Sequence, residues 1–180
     1  IQDLPEDAFK NQTKMERLDL SFNTLRSLRK LPTQYLTNLR EIYLISNKIK
    51  EINNLDPLVN LTLLELGDNR IRVIENLDTL VNLQSLWLGR NKIEKLQNLD
   101  MLRELRILSM QSNRLVKLEN LACLTKLEEL YLSHNGLTSI EGVEQLPNLR
   151  VLDVAVNQIT KLTPNILQLT KLEELWVNNN

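Results

Sequence analysis

Apolar residues recur along this chain in a fixed order of spacings. Within the stretch 61–82, Leu64 and Leu66 alternate with polar positions, which predicts a short strand with one buried face. Ile71 and Ile74 follow at the three-residue spacing of a tight helical turn. The same series restarts directly after this stretch, 22 residues further along the chain. The pattern therefore predicts repeated units that each contain one strand and one turn-rich return.

Eight segments match the strand half of the unit. Most successive segments start 22 residues apart, but the first step is 24 residues and the last is 23, with the extra residues near Pro32 and Pro164 on the return side. The segments resemble the leucine-rich-repeat signature L-x-x-L-x-L-x-x-N-x-L, which predicts an α/β solenoid with a parallel concave sheet and a 3₁₀ or helical convex side. They are MERLDLSFN from Met15, LREIYLISN from Leu39, LTLLELGDN from Leu61, LQSLWLGRN from Leu83, LRILSMQSN from Leu105, LEELYLSHN from Leu127, LRVLDVAVN from Leu149 and LEELWVNNN from Leu172.

The repeats predict a single leucine-rich-repeat domain over 1–180. Residues 1–14 are expected to be the helical half of a partial repeat, with Leu4 and Phe9 as its apolar contacts. Eight strand-bearing repeats would follow over 15–180, the last of them truncated and without a C-terminal cap. Because each repeat of a solenoid contacts only its neighbours, we expect further repeats or a cap to follow Asn180.

An asparagine closes each strand segment. Its amide can both donate to and accept from backbone groups that the bend after the strand would otherwise leave unpaired. We therefore expect a structural asparagine ladder along the solenoid. Its members are Asn23, Asn47, Asn69, Asn91, Asn113, Asn135, Asn157 and Asn180.

Two rows of residues are predicted to point out of the sheet, because side chains alternate across a strand. Together they define what we call the concave face. The central row is Asp19, Tyr43, Glu65, Trp87, Ser109, Tyr131, Asp153 and Trp176. The adjacent row, two residues earlier in each strand, is Arg17, Glu41, Leu63, Ser85, Ile107, Glu129, Val151 and Glu174.

The central row is enriched in aromatic residues and acids that the core does not need. Half of it is Tyr or Trp, in a chain that is only 4% aromatic. Eight strands about 4.8 Å apart give a strip roughly 34 Å long, which suits a standard protein interface of about 800 Å² per partner. Exposed aromatics are the usual anchors of such interfaces, and the acids favour a partner with a basic surface. The alternative is a solvated face whose aromatics support one another across strands.

Composition narrows the classes of function. A net charge of −1 gives no general attraction to nucleic acid or to an anionic membrane. One histidine and one cysteine cannot form a His/Cys metal cluster, and no glycine-rich cofactor loop is present. Ser133, His134 and Asp153 fall on neighbouring repeats, but no nucleophile elbow accompanies them. We therefore expect a protein that is not an enzyme and holds no metal or cofactor.

A line of basic residues follows four of the closing asparagines. It consists of Lys48, Arg70, Lys92 and Arg114, and such a line could meet phosphates in a ribonucleoprotein. An acidic row that includes Glu75 runs beside it. A solvated edge with many ion pairs is therefore the favoured interpretation.

The amino-acid sequences of the repeats resemble one protein family more specifically than the general signature does. Segments such as LELGDNRIRVIENLDTL, LGRNKIEKLQNLD, LSMQSNRLVKLENL and LYLSHNGLTSIEGV closely resemble the leucine-rich-repeat regulatory subunits of type-1 protein phosphatase, the regulatory subunit 7 family. The resemblance covers Met15 to Asn180. It implies a nuclear and cytoplasmic partner of the phosphatase catalytic subunit that acts in chromosome segregation, the cell cycle, and phosphatase maturation and inhibition. A third regulatory protein in the same complex is also implied.

The resemblance also implies which residues meet the phosphatase. Tyr131 is also predicted to bind the partner, but only because it lies in the central row and not because of the resemblance. The alternative function is a leucine-rich-repeat scaffold for another protein, cytoskeletal or ribonucleoprotein. The family's acidic and aromatic contact positions match Asp19, Tyr43, Glu65, Trp87, Asp153, Glu174 and Trp176 here.

Overall fold

The computed structural model describes residues 1–180 and contains one sheet of eight parallel strands in chain order. Each strand belongs to one coil of a solenoid, as the 22-residue period predicts. The leucine-rich-repeat architecture is thus confirmed. The strands are β1 Arg17–Asp19, β2 Glu41–Tyr43, β3 Leu63–Glu65, β4 Ser85–Trp87, β5 Ile107–Ser109, β6 Glu129–Tyr131, β7 Val151–Asp153 and β8 Glu174–Trp176.

The middle residue of each strand points into the coil. Leu64 and Leu86, for example, are fully buried, whereas the residues on either side of them are half-buried on the opposite face. The leucines and isoleucines of successive coils form one continuous core along the solenoid. In β8, where no further coil packs against the outer side, Leu175 is only half-buried.

The return half of each coil consists mostly of turns. Three short 3₁₀ helices occur, at Thr33–Tyr35, Val143–Gln145 and Pro164–Gln168. The first and third lie in the two longer repeats, because the added residues and the nearby prolines accommodate a helical turn there. None of the helical segments is long and apolar enough to span a membrane.

The N-terminal segment differs from the sequence prediction. Residues 1–14 form successive turns, with bonds such as Ala8 N to Pro5 O at 3.1 Å, and not a helix. This stretch contains Pro5 and few apolar residues, so it lacks the apolar face by which packing would stabilise a helix. Leu4 and Phe9 nevertheless pack against the core as predicted.

The predicted asparagine ladder is present at the end of the strands. The Nδ2 group of Asn69 donates to the carbonyl of Leu66 in its own coil at 3.0 Å and to that of Leu44 in the preceding coil at 2.9 Å. Its Oδ1 accepts from the Ile49 N–H at 3.0 Å. With a further bond to Gly67 O at 3.1 Å, this side chain joins two coils and pairs with four backbone groups. Equivalent bonds to the preceding coil are made by Asn47, Asn91, Asn113, Asn135, Asn157 and Asn180.

A second ladder of asparagines lies on the convex side and was not predicted. Its side chains donate to carbonyls of the preceding coil, as Asn98 does to Ile74 O at 2.7 Å. These asparagines have φ between 56° and 58°, a left-handed conformation that asparagine tolerates better than most residues. Gly142 takes the next position, with φ 104°. The members of this ladder are Asn54, Asn76, Asn98 and Asn120.

A third column of side chains links the coils just before the strands. Asn60 donates to Thr37 O at 2.9 Å and Asn82 to Val59 O at 2.9 Å. Where the asparagine is replaced, an ion pair takes its place, because Lys126 Nζ lies 2.7 Å from Glu104 Oε2. The coils are therefore joined by side chains at three separate corners.

Removing one internal amide should destabilise the whole solenoid. We expect Asn69→Ala to lower the free energy of unfolding by about 1–3 kcal/mol, because the Ile49 N–H stays buried without a partner and the Leu44 carbonyl keeps only the amide of Asn47. Asn82→Ala is the matched control: its one carbonyl partner lies at the surface, and we expect a loss below about 1 kcal/mol. Urea unfolding measures both, and equal losses would contradict the ladder's structural role.

Gly142 should not tolerate a side chain. A Cβ there would lie 3.2 Å from Leu118 O, and φ is 104°. We expect Gly142→Ala to cost about 1–3 kcal/mol in unfolding free energy. Gly89→Ala is the control, since its Cβ would meet nothing closer than 3.5 Å, and we expect a change within about 0.5 kcal/mol. Thermal unfolding monitored by circular dichroism tests the difference, which should disappear if the left-handed conformation imposes no strain.

Candidate protein-binding face

Strand register assembles both predicted rows of the concave face. Tyr43 pairs with Glu65, Glu65 with Trp87, and the same register continues to Asp153 and Trp176. Asp19, Glu174 and Trp176 are exposed, whereas Tyr43, Glu65, Trp87 and Tyr131 are half-buried, and Asp153 is covered by its neighbours to 8% exposure. The eight predicted partner-binding residues therefore share one surface, but their accessibility differs.

Three of the four aromatic side chains are held by a glutamate two residues earlier in the same strand. Both residues point to the same face, so the polar end of the ring reaches the carboxylate. Trp87 lacks such a partner, because Ser85 occupies the place of the glutamate. The pairs are Tyr43 Oη to Glu41 Oε2 at 2.8 Å, Tyr131 Oη to Glu129 Oε2 at 2.7 Å, and Trp176 Nε1 to Glu174 Oε2 at 3.2 Å.

The three acids of the central row each cap the bend that follows their strand. A carboxylate oxygen accepts from the backbone N–H two residues later, which leaves the second oxygen of each group for other contacts. Hydrogen bonding from the Ser21 side chain, and then from the Ser21 N–H, favours the ionised form and lowers the pKa of Asp19. The bonds are Ser21 N–H to Asp19 at 2.8 Å, Gly67 N–H to Glu65 at 2.6 Å, and Ala155 N–H to Asp153 at 3.0 Å.

Glu65 behaves differently from Asp19. Burial raises the pKa of its carboxyl, and the bond from Gly67 opposes that effect only in part. No basic side chain forms an ion pair with Glu65 within 4 Å. A basic group brought by a partner would therefore favour the ionised form, which burial disfavours.

Trp87 and Tyr131 form the largest aromatic surface on this face. Their strands are separated by β5, yet their rings stack with centroids 6.3 Å apart and planes 19° from parallel. Ser109 lies between them in the row, and its small side chain leaves the space into which both rings lean. As a result Ser109 is only 2% exposed. A pair of this kind adds about 0.5–1.5 kcal/mol beyond area burial and pre-orders both rings.

The concave face carries strong negative charge. Its two rows hold six carboxylates and one guanidinium, and that guanidinium, on Arg17, is already paired with Glu41 at 2.6 Å. The pKa of Glu41 is lowered by hydrogen bonds from Arg17 and Tyr43. The arrangement favours a partner that presents basic and aromatic-compatible groups.

The remaining sequence hypotheses can be placed as well. The side chains of Ser133, His134 and Asp153 form no hydrogen bonds with one another, and one oxygen of the Asp153 carboxylate accepts from the Ala155 N–H. No group of three or more His, Cys, Asp or Glu residues is arranged to hold a metal ion. In the basic line, Arg114 pairs with Glu94 at 3.7 Å, but Lys48, Arg70 and Lys92 have no ion-pair partner. The ion pairs predicted for this edge are thus present at Arg114 and absent at the other three cations.

The buried environment of Tyr131 should be measurable by titration. Burial, and then the bond to Glu129, raise the pKa of Tyr131 to about 12. Because the folded state holds this proton more tightly, the stabilisation is present below about pH 10 and is lost as pH rises toward 12. Ultraviolet titration of tyrosinate should lose its latest tyrosine in Tyr131→Phe and keep that of Tyr43, whose pKa is raised by the bond to Glu41. Glu129→Gln should lower the pKa of Tyr131 without restoring the ordinary value, and an unchanged pKa would contradict the assigned bond.

Comparison with solved structures supports the fold over nearly the whole chain. A leucine-rich-repeat protein of Leptospira interrogans superposes with a TM-score of 0.78 at 28% identity, covering 99% of this chain and 52% of that one. Internalin C2 of Listeria monocytogenes gives a TM-score of 0.70 at 27% identity, with 89% and 80% covered. This chain thus spans about half the length of the Leptospira protein.

A third neighbour was solved with a partner bound. The ectodomain of the Arabidopsis thaliana receptor kinase GASSHO1/SCHENGEN3, in complex with CASPARIAN STRIP INTEGRITY FACTOR 2, gives a TM-score of 0.72 at 26% identity and covers 88% of this chain and 20% of that one. A comparison with curated protein sequences gives no significant match.

A family model settles the classification of the repeats. The model for leucine-rich repeats in two copies matches residues 59–101, 103–145, 125–166 and 147–180. These ranges cover most of the chain and include strands β3 to β8. The fold is a scaffold suited to protein–protein interaction. This chain belongs to the leucine-rich-repeat family.

Proposed function

We propose that this protein is a non-catalytic regulatory subunit that binds the type-1 serine/threonine protein phosphatase catalytic subunit through the concave face. The proposal rests on the resemblance of the repeat sequences to that regulatory family. We propose that the complex forms in the nucleus and cytoplasm, where a third regulatory protein can join it. Binding would control the activity, maturation or localisation of the phosphatase.

The observation that supports this function most is the ordered acid and aromatic surface. Three aromatic rings are held by carboxylates in their own strands, and Trp87 is held by stacking on Tyr131. Side chains already fixed in one rotamer lose less entropy when a partner binds, so more of the contact energy remains as affinity. A folded partner with a basic surface is the natural counterpart.

Different parts of this face would have different roles. Trp176 is 55% exposed and offers a large area for contact at one end of the row, and tryptophan is enriched among binding hot spots. Trp87 and Tyr131 would provide a rigid centre. Asp19 and Glu174 are exposed acids that would contribute more to steering and salt dependence than to buried contacts.

A leucine-rich-repeat scaffold for another protein is the second candidate function. The receptor-kinase ectodomain that this fold resembles was solved in complex with a partner factor, which favours partner binding in general. A cytoskeletal component would reuse the same surface, whereas a ribonucleoprotein component would use the basic line from Lys48 to Arg114. Affinity capture from a cell lysate distinguishes the two, because the phosphatase proposal requires a type-1 catalytic subunit as the main captured protein.

Removing both tryptophans of the concave face should abolish phosphatase binding. We expect Trp87→Ala with Trp176→Ala to weaken affinity for the purified catalytic subunit by at least about 100-fold, since two hot-spot aromatics each contribute about 2 kcal/mol or more. Calorimetric titration measures the affinity. Retained affinity would refute the proposal.

The matched control removes two other exposed apolar side chains. Phe22 and Leu167 are 78% and 79% exposed and lie outside the concave face. Phe22→Ala with Leu167→Ala should leave the affinity unchanged within about threefold. Circular-dichroism melting of both double variants confirms that each remains folded, with a modest loss expected for Trp87→Ala because its stacking on Tyr131 is removed.

A further inference from the structure

A basic groove lies outside the concave face, on the segments by which coils leave the sheet. Its volume is about 700 Å³ and its lining includes Lys50, Arg70, Arg72 and Lys92. Backbone bonds such as Arg70 N to Ile49 O at 2.8 Å stack these segments on one another. Lys50 and Arg72 are one 22-residue repeat apart, as are Arg70 and Lys92. The groove therefore brings two columns of cations together.

These four cations are free to bind an anion. None of them forms an ion pair with a carboxylate within 4 Å. The lining also contains a fifth cation, Arg29, which is paired with Glu51 at 3.2 Å, and a second acid, Glu75. Five cations thus face two carboxylates. Because clustering of like charges destabilises a fold unless something compensates it, a bound anion would relieve the repulsion among the four unpaired cations.

The groove is not purely ionic. Val73 lines it and is 42% exposed, and the amides of Asn53 and Asn76 add groups that can pair with a peptide backbone. No aromatic side chain is present in the lining, whereas single-stranded nucleic acid is usually held by stacking its bases on aromatics. A simple polyphosphate would leave the apolar surface of Val73 uncovered.

We propose that this basic groove binds an acidic peptide segment of a partner protein, with an aliphatic side chain of that segment against Val73. Carboxylates of the segment pair with Lys50, Arg70, Arg72 and Lys92. A volume of about 700 Å³ is in the range of sites that enclose a small ligand, so a short segment fills it. The site is separate from the concave face, because no concave-face residue lines it.

Fluorescence anisotropy with a defined probe tests this site. The probe is a fluorescein-labelled peptide of glutamates around one central leucine, and a matched peptide carries glycine in place of the leucine. We expect saturable binding to the wild-type protein, weakened at least tenfold by Lys50→Glu with Arg72→Glu. The glycine peptide should bind at least threefold more weakly. Absence of saturable binding, or equal binding of the two peptides, overturns the proposal.

Two control proteins separate a defined site from net charge. Lys10→Glu with Lys161→Glu makes the same change in charge at exposed positions outside the groove and should alter affinity less than threefold. Trp87→Ala with Trp176→Ala should bind the peptide as the wild type does. Equal losses in the two charge-reversed proteins, or tighter binding of a short oligouridine RNA than of the peptide, refutes an acidic-peptide site. If charge reversal lowers the melting temperature, Lys50→Gln with Arg72→Gln replaces it as the test variant and should also weaken peptide binding.

Discussion

Side-chain amides that join one coil to the next are the interaction on which this solenoid depends. Strands of three residues supply few ladder bonds: of 76 backbone hydrogen bonds, only 16 lie within strands and helices. A folded chain of 180 residues would ordinarily have a larger share of its bonds in regular backbone structure. Asn69 shows how the difference is met, since one amide bonds to the Leu44 carbonyl and the Ile49 N–H of the preceding coil. Without such bonds, the bend after each strand would bury unpaired backbone groups.

The sequence predicted the strands, the first ladder and both rows of the concave face, because period-two alternation and a 22-residue repeat leave little freedom in register. It did not predict the convex ladder of Asn54, Asn76, Asn98 and Asn120, although those residues recur at the same period. Attention to apolar spacing alone misses a polar repeat. Helical structure was overpredicted, since spacing of three is also compatible with turns. The lean of Trp87 and Tyr131 over Ser109 depends on packing across three strands, which no local pattern encodes.

The acids of the concave face serve both fold and surface. Asp19 and Asp153 fasten the bends after their strands through one carboxylate oxygen, while Glu41 and Glu129 hold tyrosine hydroxyls. Substituting such an acid would change local order as well as charge, so loss of binding by that variant would be ambiguous. The tryptophans are cleaner probes, because the core does not include them. Residues that the sequence pattern predicts to face outward thus also stabilise the fold.

Net charge conceals how the charges of this chain are distributed. Of 23 acidic and 22 basic residues, the concave face takes six and one, which leaves 17 and 21 for the rest of the chain. A molecule with net charge −1 therefore has an acidic sheet face and an otherwise basic surface, which includes the groove at Lys50 and Arg72. Within a Debye length of about 8 Å at physiological salt, an approaching partner responds to one face and not to the total. The two proposed binding faces would consequently select partners of opposite charge, and they share no lining residue.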